Sequence, residues 1–315
     1  MALHWHDAQT GEARTMSQAD LDACVSPSRF VASLDDELQI YAERSAAARE
    51  AARAAGCLHE GLEYAAGDAA KLDLFLPAGD QSAPLLVYIH GGFWQQLSRA
   101  DSAFAAPDVT RHGGGLAALG YTLAPRASLA EIVQETREAL VWLYRQCALY
   151  GLDRKRIVVA GSSAGAHLAA MLMLTDWTQF ELPEQIIAGA VLVSGVYDLS
   201  VVAQSYVNEP LSLSTEGINL LSPRRLMPRH TCPVHMVFSA NEPDEFKRES
   251  HCYARHLTRH GQSCVVREIA GRHHFDVVLD LADPDTALGH ATLSMLGLSP
   301  PLQSDPPLQS EENVK

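Results

Sequence analysis

Residues 161–165 read Gly-Ser-Ser-Ala-Gly, the G-x-S-x-G spacing that places a serine nucleophile in many hydrolases. The motif lies between an apolar run at residues 157–160 and an apolar helical stretch at residues 164–174, so we predict a strand, a sharp turn and a helix. Such a turn lifts a serine hydroxyl clear of the strand and toward the helix N-terminus, where negative charge is favoured. The flanking glycines select Ser163 rather than Ser162 as the nucleophile. The alternative is a glycine-rich turn whose serine caps a helix.

A second glycine motif, His-Gly-Gly-Phe-Trp at residues 90–94, follows the apolar run at residues 85–89. A tetrahedral intermediate needs backbone N–H donors aimed at its oxygen, and glycines let the backbone approach a bound carbonyl closely. His90 is expected to brace this loop by hydrogen bonding, and a plain Gly-Gly turn is the alternative. The predicted oxyanion hole consists of Gly91, Gly92, Phe93 and Ala164.

The acid of a serine hydrolase of this kind follows the nucleophile along the chain and precedes the histidine. The apolar run at residues 234–238 predicts the next-to-last strand, and three acidic residues follow it closely. We favour Glu242, which comes first and is held by the adjacent proline. Asp244 is the alternative, while Glu245 is expected to begin the next helix. An acid that does not serve in catalysis would cap the turn or the helix.

The base must follow the last predicted strand, at residues 264–269, and two adjacent histidines do so, His273 and His274. A neutral imidazole takes the serine proton while its other nitrogen donates to a carboxylate, and either histidine could act in this way. A metal site made of His273, His274 and Asp276 is not supported, because no HExxH or similar ligand spacing occurs elsewhere. No cofactor or metal is therefore predicted.

Composition restricts the partners of this chain. Its 315 residues carry a formal net charge of −14, which repels nucleic acids and anionic membranes. Six widely spaced cysteines without a CxxC pair indicate free thiols in a reducing compartment. Residues 1–22 lack a signal-peptide core, and no apolar run approaches the roughly 18 residues of a membrane span. We expect a cytoplasmic protein that acts on a small-molecule ester or amide, with a homodimer as one option for its assembly.

Alternating strand and helix patterns predict the architecture. Residues 57–64 and 71–76 alternate as an antiparallel pair would, whereas the later strands are continuous apolar runs, as in strands buried on both faces. This arrangement predicts an α/β fold with a mostly parallel sheet and helices on both faces. The predicted helices comprise residues 34–55, 129–150, 164–174 and 245–260, and the predicted buried strands comprise residues 85–89, 116–123, 157–160, 188–193, 234–238 and 264–269.

Two segments depart from the alternation of predicted strands and helices. Residues 198–230 carry three prolines and no clear period between two buried strands, so we interpret residues 198–231 as a small cap over the sheet edge. Residues 298–315 contain a tandem Pro-Pro-Leu-Gln-Ser repeat and are expected to form a disordered tail. The remaining residues, 1–297, are expected to form a single domain.

The motif at residues 90–94 resembles the HGGxW motif of the metal-independent kynurenine formamidases, or arylformamidases, of the hormone-sensitive-lipase-like branch of α/β-hydrolases. Residues 194–199 (SGVYDL), 245–250 (EFKRES) and 274–276 (HFD) are also similar to that family, and residues 41–45 resemble the N-terminal helix of its bacterial members. The resemblance extends over about residues 26–296. It implies an α/β-hydrolase fold and the triad Ser163, Glu242 and His274.

The resemblance implies hydrolysis of an aryl formamide such as N-formyl-kynurenine, through an acyl-enzyme. Relatives in this branch also include carboxylesterases, which use the same triad, so the motifs do not separate these two activities. A hydrolase fold that serves only as a binding protein is the alternative of another class, although the serine, the acid, the histidine and the glycines are all present here. Aromatic residues expected to line the substrate pocket, with plain packing as the alternative, are Phe93, Trp94, Tyr197, Tyr206 and Phe275.

Overall fold

A computed structural model describes residues 3–6, 13–79 and 82–298 of the chain. The predicted tail therefore lies outside the described residues except for Leu298. The strands are β1 (Leu3–His6), β2 (Ala13–Met16), β3 (Leu58–Glu63), β4 (Lys71–Phe75), β5 (Ala83–Ile89), β6 (Gly115–Leu119), β7 (Leu152–Ser162), β8 (Gly189–Val193), β9 (Val234–Asn241) and β10 (Cys264–His273). The helices are α1 (Gln18–Cys24), α2 (Leu34–Ala54), α3 (Ala106–Arg111), α4 (Leu129–Gln146), α5 (Ala164–Met173), α6 (Ser200–Gln204), α7 (Asn208–Leu211), α8 (Thr215–Leu221), α9 (Asp244–Arg259) and α10 (Ala287–Met295). Short 3-10 helices lie at Pro27–Phe30, Arg99–Asp101, Cys147–Tyr150, Trp177–Phe180, Pro223–Arg225 and Val277–Asp280.

Eight strands form the central sheet in the order β10-β9-β8-β7-β5-β6-β4-β3. Strand β4 runs antiparallel to both of its neighbours, and the other adjacent pairs are parallel. Strands β1 and β2 pair separately as an antiparallel ribbon. The predicted antiparallel pair at the start of the sheet and the predicted parallel strands after it are confirmed.

The sheet is covered on both faces because the side chains of its central strands alternate between two apolar cores. In β5, Leu85, Val87 and Ile89 enter one core, whereas Leu86 and Tyr88 enter the other. Helices α4, α5 and α9 cover the first face, and α2, α3 and α10 cover the second. One buried residue from each of these helices illustrates the packing: Leu140, Leu168 and Leu257 on the first face, and Tyr41, Val109 and Leu288 on the second.

Local signals in the sequence set the helix boundaries. The side chain of Ser33 accepts a hydrogen bond from the Asp36 N–H at the start of α2. At the start of α4, Ser128 and Glu131 form a reciprocal capping box that satisfies two otherwise unpaired backbone donors. None of the helices in the described ranges combines the length and the apolar composition that a bilayer crossing requires.

The segment interpreted as a cap, residues 198–231, contains three short helices, α6, α7 and α8, where the sequence showed no clear period. These helices are only four to seven residues long, which is too short for a helical period to be recognised. Two buried contacts fasten the segment to the body of the fold. Arg224 Nη1 lies 3.4 Å from Glu249 Oε1 on α9, and His167 Nε2 on α5 lies 2.7 Å from the Leu221 carbonyl oxygen.

Candidate active site

Ser163 occupies the turn between β7 and α5 and adopts a left-handed backbone conformation, with φ 56° and ψ −118°. Its N–H donates to the carbonyl oxygen of Val193 on the neighbouring strand β8, at 2.8 Å. A Cβ atom at Gly161 would overlap the carbonyl oxygen of Gly165, and one at Gly165 would overlap that of Ile89. The glycines on both sides of the serine are therefore required by close backbone approach, and the strained residue between them is the serine itself.

The loop after β5 packs directly against this turn. A Cβ atom at Gly91 would lie 2.9 Å from the Ser162 carbonyl oxygen and 3.2 Å from Ser163 Cβ, so only glycine fits there without displacement. Gly92 and Phe93 both have positive φ angles, 87° and 51°. Within the described part of the chain, the N–H groups of Gly92, Phe93 and Ala164 donate no hydrogen bond to the protein. These donors are available to a bound oxygen.

His90 braces the loop, as the sequence predicted. Its Nδ1 lies 3.0 Å from the Gly91 carbonyl oxygen, and its ring stacks on Tyr121 with centroids 4.2 Å apart. The Tyr121 hydroxyl donates to the carbonyl oxygens of His90 and Gly91. Burial lowers the pKa of His90 to about 4, so the ring is neutral near pH 7. The loop is thus held by a histidine without positive charge.

The register of the last two strands brings an acid and a histidine side by side. Asn241 at the end of β9 pairs with His273 at the end of β10, so the residues that follow them, Glu242 and His274, emerge together. His274 Nδ1 lies 2.8 Å from Glu242 Oε2, and both side chains are buried. The rings of Phe246 and Phe275 meet the imidazole edge-on. This pair has the geometry of a histidine oriented by a carboxylate.

The alternative acid, Asp244, and the alternative base, His273, lie elsewhere. Asp244 is exposed and begins helix α9, one residue earlier than the predicted start at Glu245. His273 turns toward helix α2, where its Nε2 lies 3.4 Å from Glu37 Oε1. Its Nδ1 accepts backbone hydrogen bonds from the two residues after His274. Neither alternative shares the contact between His274 and Glu242.

A cavity of about 150 Å³ opens beside Ser163, and His274 lies on its wall. Glycine-loop residues 91–93 line the same cavity, with Phe275 after the histidine. The predicted cap contributes Tyr206 and Val207. The structure thus gathers the serine, the histidine and the backbone donors of the glycine loop around one space, with Glu242 behind the histidine.

Two of the aromatic residues expected in the pocket are not on its wall, which corrects the sequence-based expectation. Trp94 is fully buried and meets His167 edge-on at a centroid distance of 5.0 Å. Tyr197 is fully buried and stacks on Tyr253 at 4.4 Å. Both rings belong to the hydrophobic core on the face of the sheet that α4, α5 and α9 cover. Phe93, Tyr206 and Phe275 do line the cavity.

The part of the cavity wall that helix α2 forms was not predicted from the sequence. Leu34, Leu38 and Tyr41 of helix α2 line the cavity, as does Asp101 of the 3-10 helix Arg99–Asp101. The Tyr41 hydroxyl also donates to the Phe275 carbonyl oxygen and so ties α2 to the histidine loop. The amphipathic pattern of α2 was visible in the sequence, but nothing in it indicated that this face lies at the active site.

Two segments that carry the family resemblance, residues 194–199 and 245–250, meet away from the cavity. Glu249 Oε2 accepts hydrogen bonds from the N–H groups of Tyr197 and Asp198, at 2.9 and 2.6 Å. Arg224 lies between the two acids, 2.8 Å from Asp198 and 3.4 Å from Glu249. These buried charges hold the cap segment against α9, and their role is structural support of the site.

Comparison with known proteins agrees with this architecture. The family model described as BD-FAE matches residues 72–214. Kynurenine formamidase of Danio rerio is 32% identical over 295 residues, which cover 91% of this chain and 99% of that protein.

Two solved structures are similar over most of the fold. A thioesterase candidate from Silicibacter sp. TM1040 superposes with a TM-score of 0.75 at 26% identity, over 86% of this chain and 98% of the other. A thermophilic carboxylesterase cloned from a metagenomic library has a TM-score of 0.63 at 22% identity, over 73% and 85% of the two chains, and shows the fold alone. The predicted α/β-hydrolase fold is confirmed, and the chain is a serine hydrolase that belongs to the kynurenine formamidase family.

Proposed function

We propose that this enzyme hydrolyses an aryl formamide, with Ser163 as nucleophile, His274 as general base and Glu242 as the acid that orients it. The observation that carries the proposal is the buried 2.8 Å contact between His274 Nδ1 and Glu242 Oε2, with His274 on the wall of the cavity that holds Ser163. The carboxylate fixes the tautomer in which Nδ1 bears the proton, so Nε2 is left free to accept one.

In the first half-reaction, Ser163 Oγ attacks the formyl carbon while its proton passes to His274 Nε2. The formyl oxygen then carries negative charge, and we assign the N–H groups of Gly92, Phe93 and Ala164 as the donors that bind it. When the C–N bond breaks, the imidazolium returns the proton to the departing nitrogen. The aryl amine leaves and a formyl ester remains on Ser163.

In the second half-reaction, His274 removes a proton from a water molecule, which attacks the formyl ester on Ser163. The ester bond breaks, the proton returns to Ser163 Oγ, and formate is released. One formamide and one water are consumed for each aryl amine, formate and proton produced. The same residues act twice, so no further acid or base is needed.

The substrate class is supported by two observations. The Danio rerio relative, which this chain matches over nearly its full length, is named for kynurenine formamidase activity. The side chains of Phe93, Tyr206 and Phe275 present aromatic surface on the wall of the cavity, and an aryl ring packs well against such surface. We also propose a cytoplasmic location, supported by six cysteines that are all free thiols in the described residues.

The proposal is tested by measuring rates of the purified enzyme on N-formyl-kynurenine and on p-nitrophenyl acetate. We expect a kcat/KM of about 10⁴ M⁻¹s⁻¹ or more on the formamide, which is within the usual range for a natural substrate. Buffer without enzyme and heat-denatured enzyme serve as controls for spontaneous hydrolysis. Turnover of the ester without turnover of the formamide would contradict the proposal and identify a carboxylesterase that uses the same residues.

A further inference from the structure

The wall of the cavity beside Ser163 carries a carboxylate that has no part in the proposed triad. Asp101 ends the 3-10 helix Arg99–Asp101, lines the cavity and is half-buried. Its Oδ2 accepts a hydrogen bond from the Ser98 hydroxyl at 2.9 Å, which fixes the side chain. Asp101 forms no ion pair with any residue that the structure describes. It is therefore a positioned carboxylate that no cationic side chain of the described residues pairs with.

Nothing on the described wall of this cavity balances that charge. The described lining residues include no lysine and no arginine, and His274 already faces the carboxylate of the proposed triad. Two arginines close to Asp101 along this segment both pair with Asp73: Arg99 Nε lies 3.3 Å from Asp73 Oδ1, and Arg49, which also donates to the Arg99 carbonyl oxygen, contacts the other carboxylate oxygen. His90, also on the wall, is neutral near pH 7 because burial lowers its pKa to about 4. A ligand in the cavity therefore meets an uncompensated negative potential, which attracts a cation and repels an anion.

The hydroxyl of Tyr88 is a second polar group on this wall that a ligand can reach. Tyr88 is 3% exposed, and its ring packs edge-on against Phe104. Among the described residues its hydroxyl makes no hydrogen bond, and its oxygen is not one of the fully enclosed unpaired atoms, so it is open to the cavity. A ligand that carries hydrogen-bonding groups can pair with this hydroxyl.

We propose that Asp101 determines substrate specificity by binding the ammonium group of an amine-bearing aryl formamide, with the Tyr88 hydroxyl as an additional hydrogen-bonding group. This inference rests on the proposed hydrolysis of aryl formamides and specifies which of them the site prefers. Formamides with an ammonium group and no carboxylate should be the best substrates. Zwitterions should follow, and formamides with only a carboxylate should be the worst.

Three aryl formamides of matched shape test the proposal: N-formyl-kynurenine, which is a zwitterion, its decarboxylated analogue, a cation, and its deaminated analogue, an anion. Formanilide serves as the uncharged reference. We expect the cation to exceed the anion in kcat/KM by about tenfold or more, as one charge-assisted hydrogen bond would produce. Asp101→Asn, which keeps the size of the side chain, should reduce this ratio to within about threefold of unity, with each rate expressed relative to that of formanilide in the same variant.

The exposed residue Asp68 provides the matched control, because Asp68→Asn removes one negative charge at a residue that does not line the cavity. This variant should retain the preference of the wild type. Melting temperatures of both variants, measured by circular dichroism, show whether each is folded. A preference that is equal in wild type and Asp101→Asn, or absent from wild type, would overturn the inference.

The same experiment separates this inference from the proposed function. If formanilide is hydrolysed but charge has no effect, the inference fails and the formamidase proposal stands. If no formamide is hydrolysed, the proposed function fails. Charge preference is then measured on two phenyl acetates, one with an aminomethyl and one with a carboxymethyl substituent. Loss of the preference for the aminomethyl ester in Asp101→Asn would support the role of Asp101, and an unchanged ratio would overturn it.

Discussion

Ser163→Ala is expected to abolish turnover of formamides and esters alike, with a loss on the order of 10⁶ in kcat. The oxygen that would bond to the acyl carbon is removed, so neither the acyl-enzyme nor its hydrolysis can occur. The backbone at this turn is held by the N–H contact to Val193 and by glycines on both sides, so alanine can adopt the same conformation. Steady-state kinetics and a thermal melt of the variant provide the two readouts.

Ser162→Ala is the matched control, because this serine is the adjacent residue in the same motif. The loss of kcat in Ser162→Ala is expected to remain within about tenfold. Ser162 is the last residue of strand β7, and of the two serines Ser163 has the left-handed conformation. Wild-type rates in Ser163→Ala, or the larger loss in Ser162→Ala, would remove the proposed nucleophile.

Glu242→Gln is expected to lower kcat by about 10⁴, the effect of a neutral partner that leaves the histidine in the wrong tautomer. The amide is close in size to the carboxylate, so the buried packing around His274 is retained. The readout is the kcat of folded protein on the best available substrate, compared with wild type at the same pH.

Asp244→Asn serves as the comparison, because this acid is exposed at the first turn of α9. Its negative charge favours the helix N-terminus, so we expect a change of about 0.5 kcal/mol in the free energy of unfolding and nearly wild-type turnover. A larger kinetic effect from Asp244→Asn than from Glu242→Gln would transfer the role of the triad acid to Asp244.

The fold was largely predictable because buried parallel strands are continuous apolar runs separated by amphipathic helices. Boundaries were less predictable where polar residues continue a strand. The predicted strand at residues 264–269 extends to His273, and the one at 234–238 extends to Asn241. Backbone pairing maintains these extensions without apolar side chains, so no hydrophobic pattern marks them.

The glycine motifs could be recognised because glycine is required where backbones approach closely, as at Gly161, Gly165 and Gly91. The residues that line the cavity carry no comparable motif in the sequence. Whether an aromatic side chain lines a cavity or fills the core depends on tertiary packing, which is why Trp94 and Tyr197 were misplaced. Asp101 belongs to no motif and could be found only in the structure.

The most direct test of Ser163 as nucleophile is covalent labelling by a fluorophosphonate, which reacts with activated serines, followed by peptide mass spectrometry. We expect one equivalent of reagent on Ser163, inactivation that parallels labelling, and no labelling of Ser163→Ala. Labelling of another serine in the wild type, or stoichiometric labelling of Ser163→Ala, would contradict the assignment of Ser163 as the nucleophile.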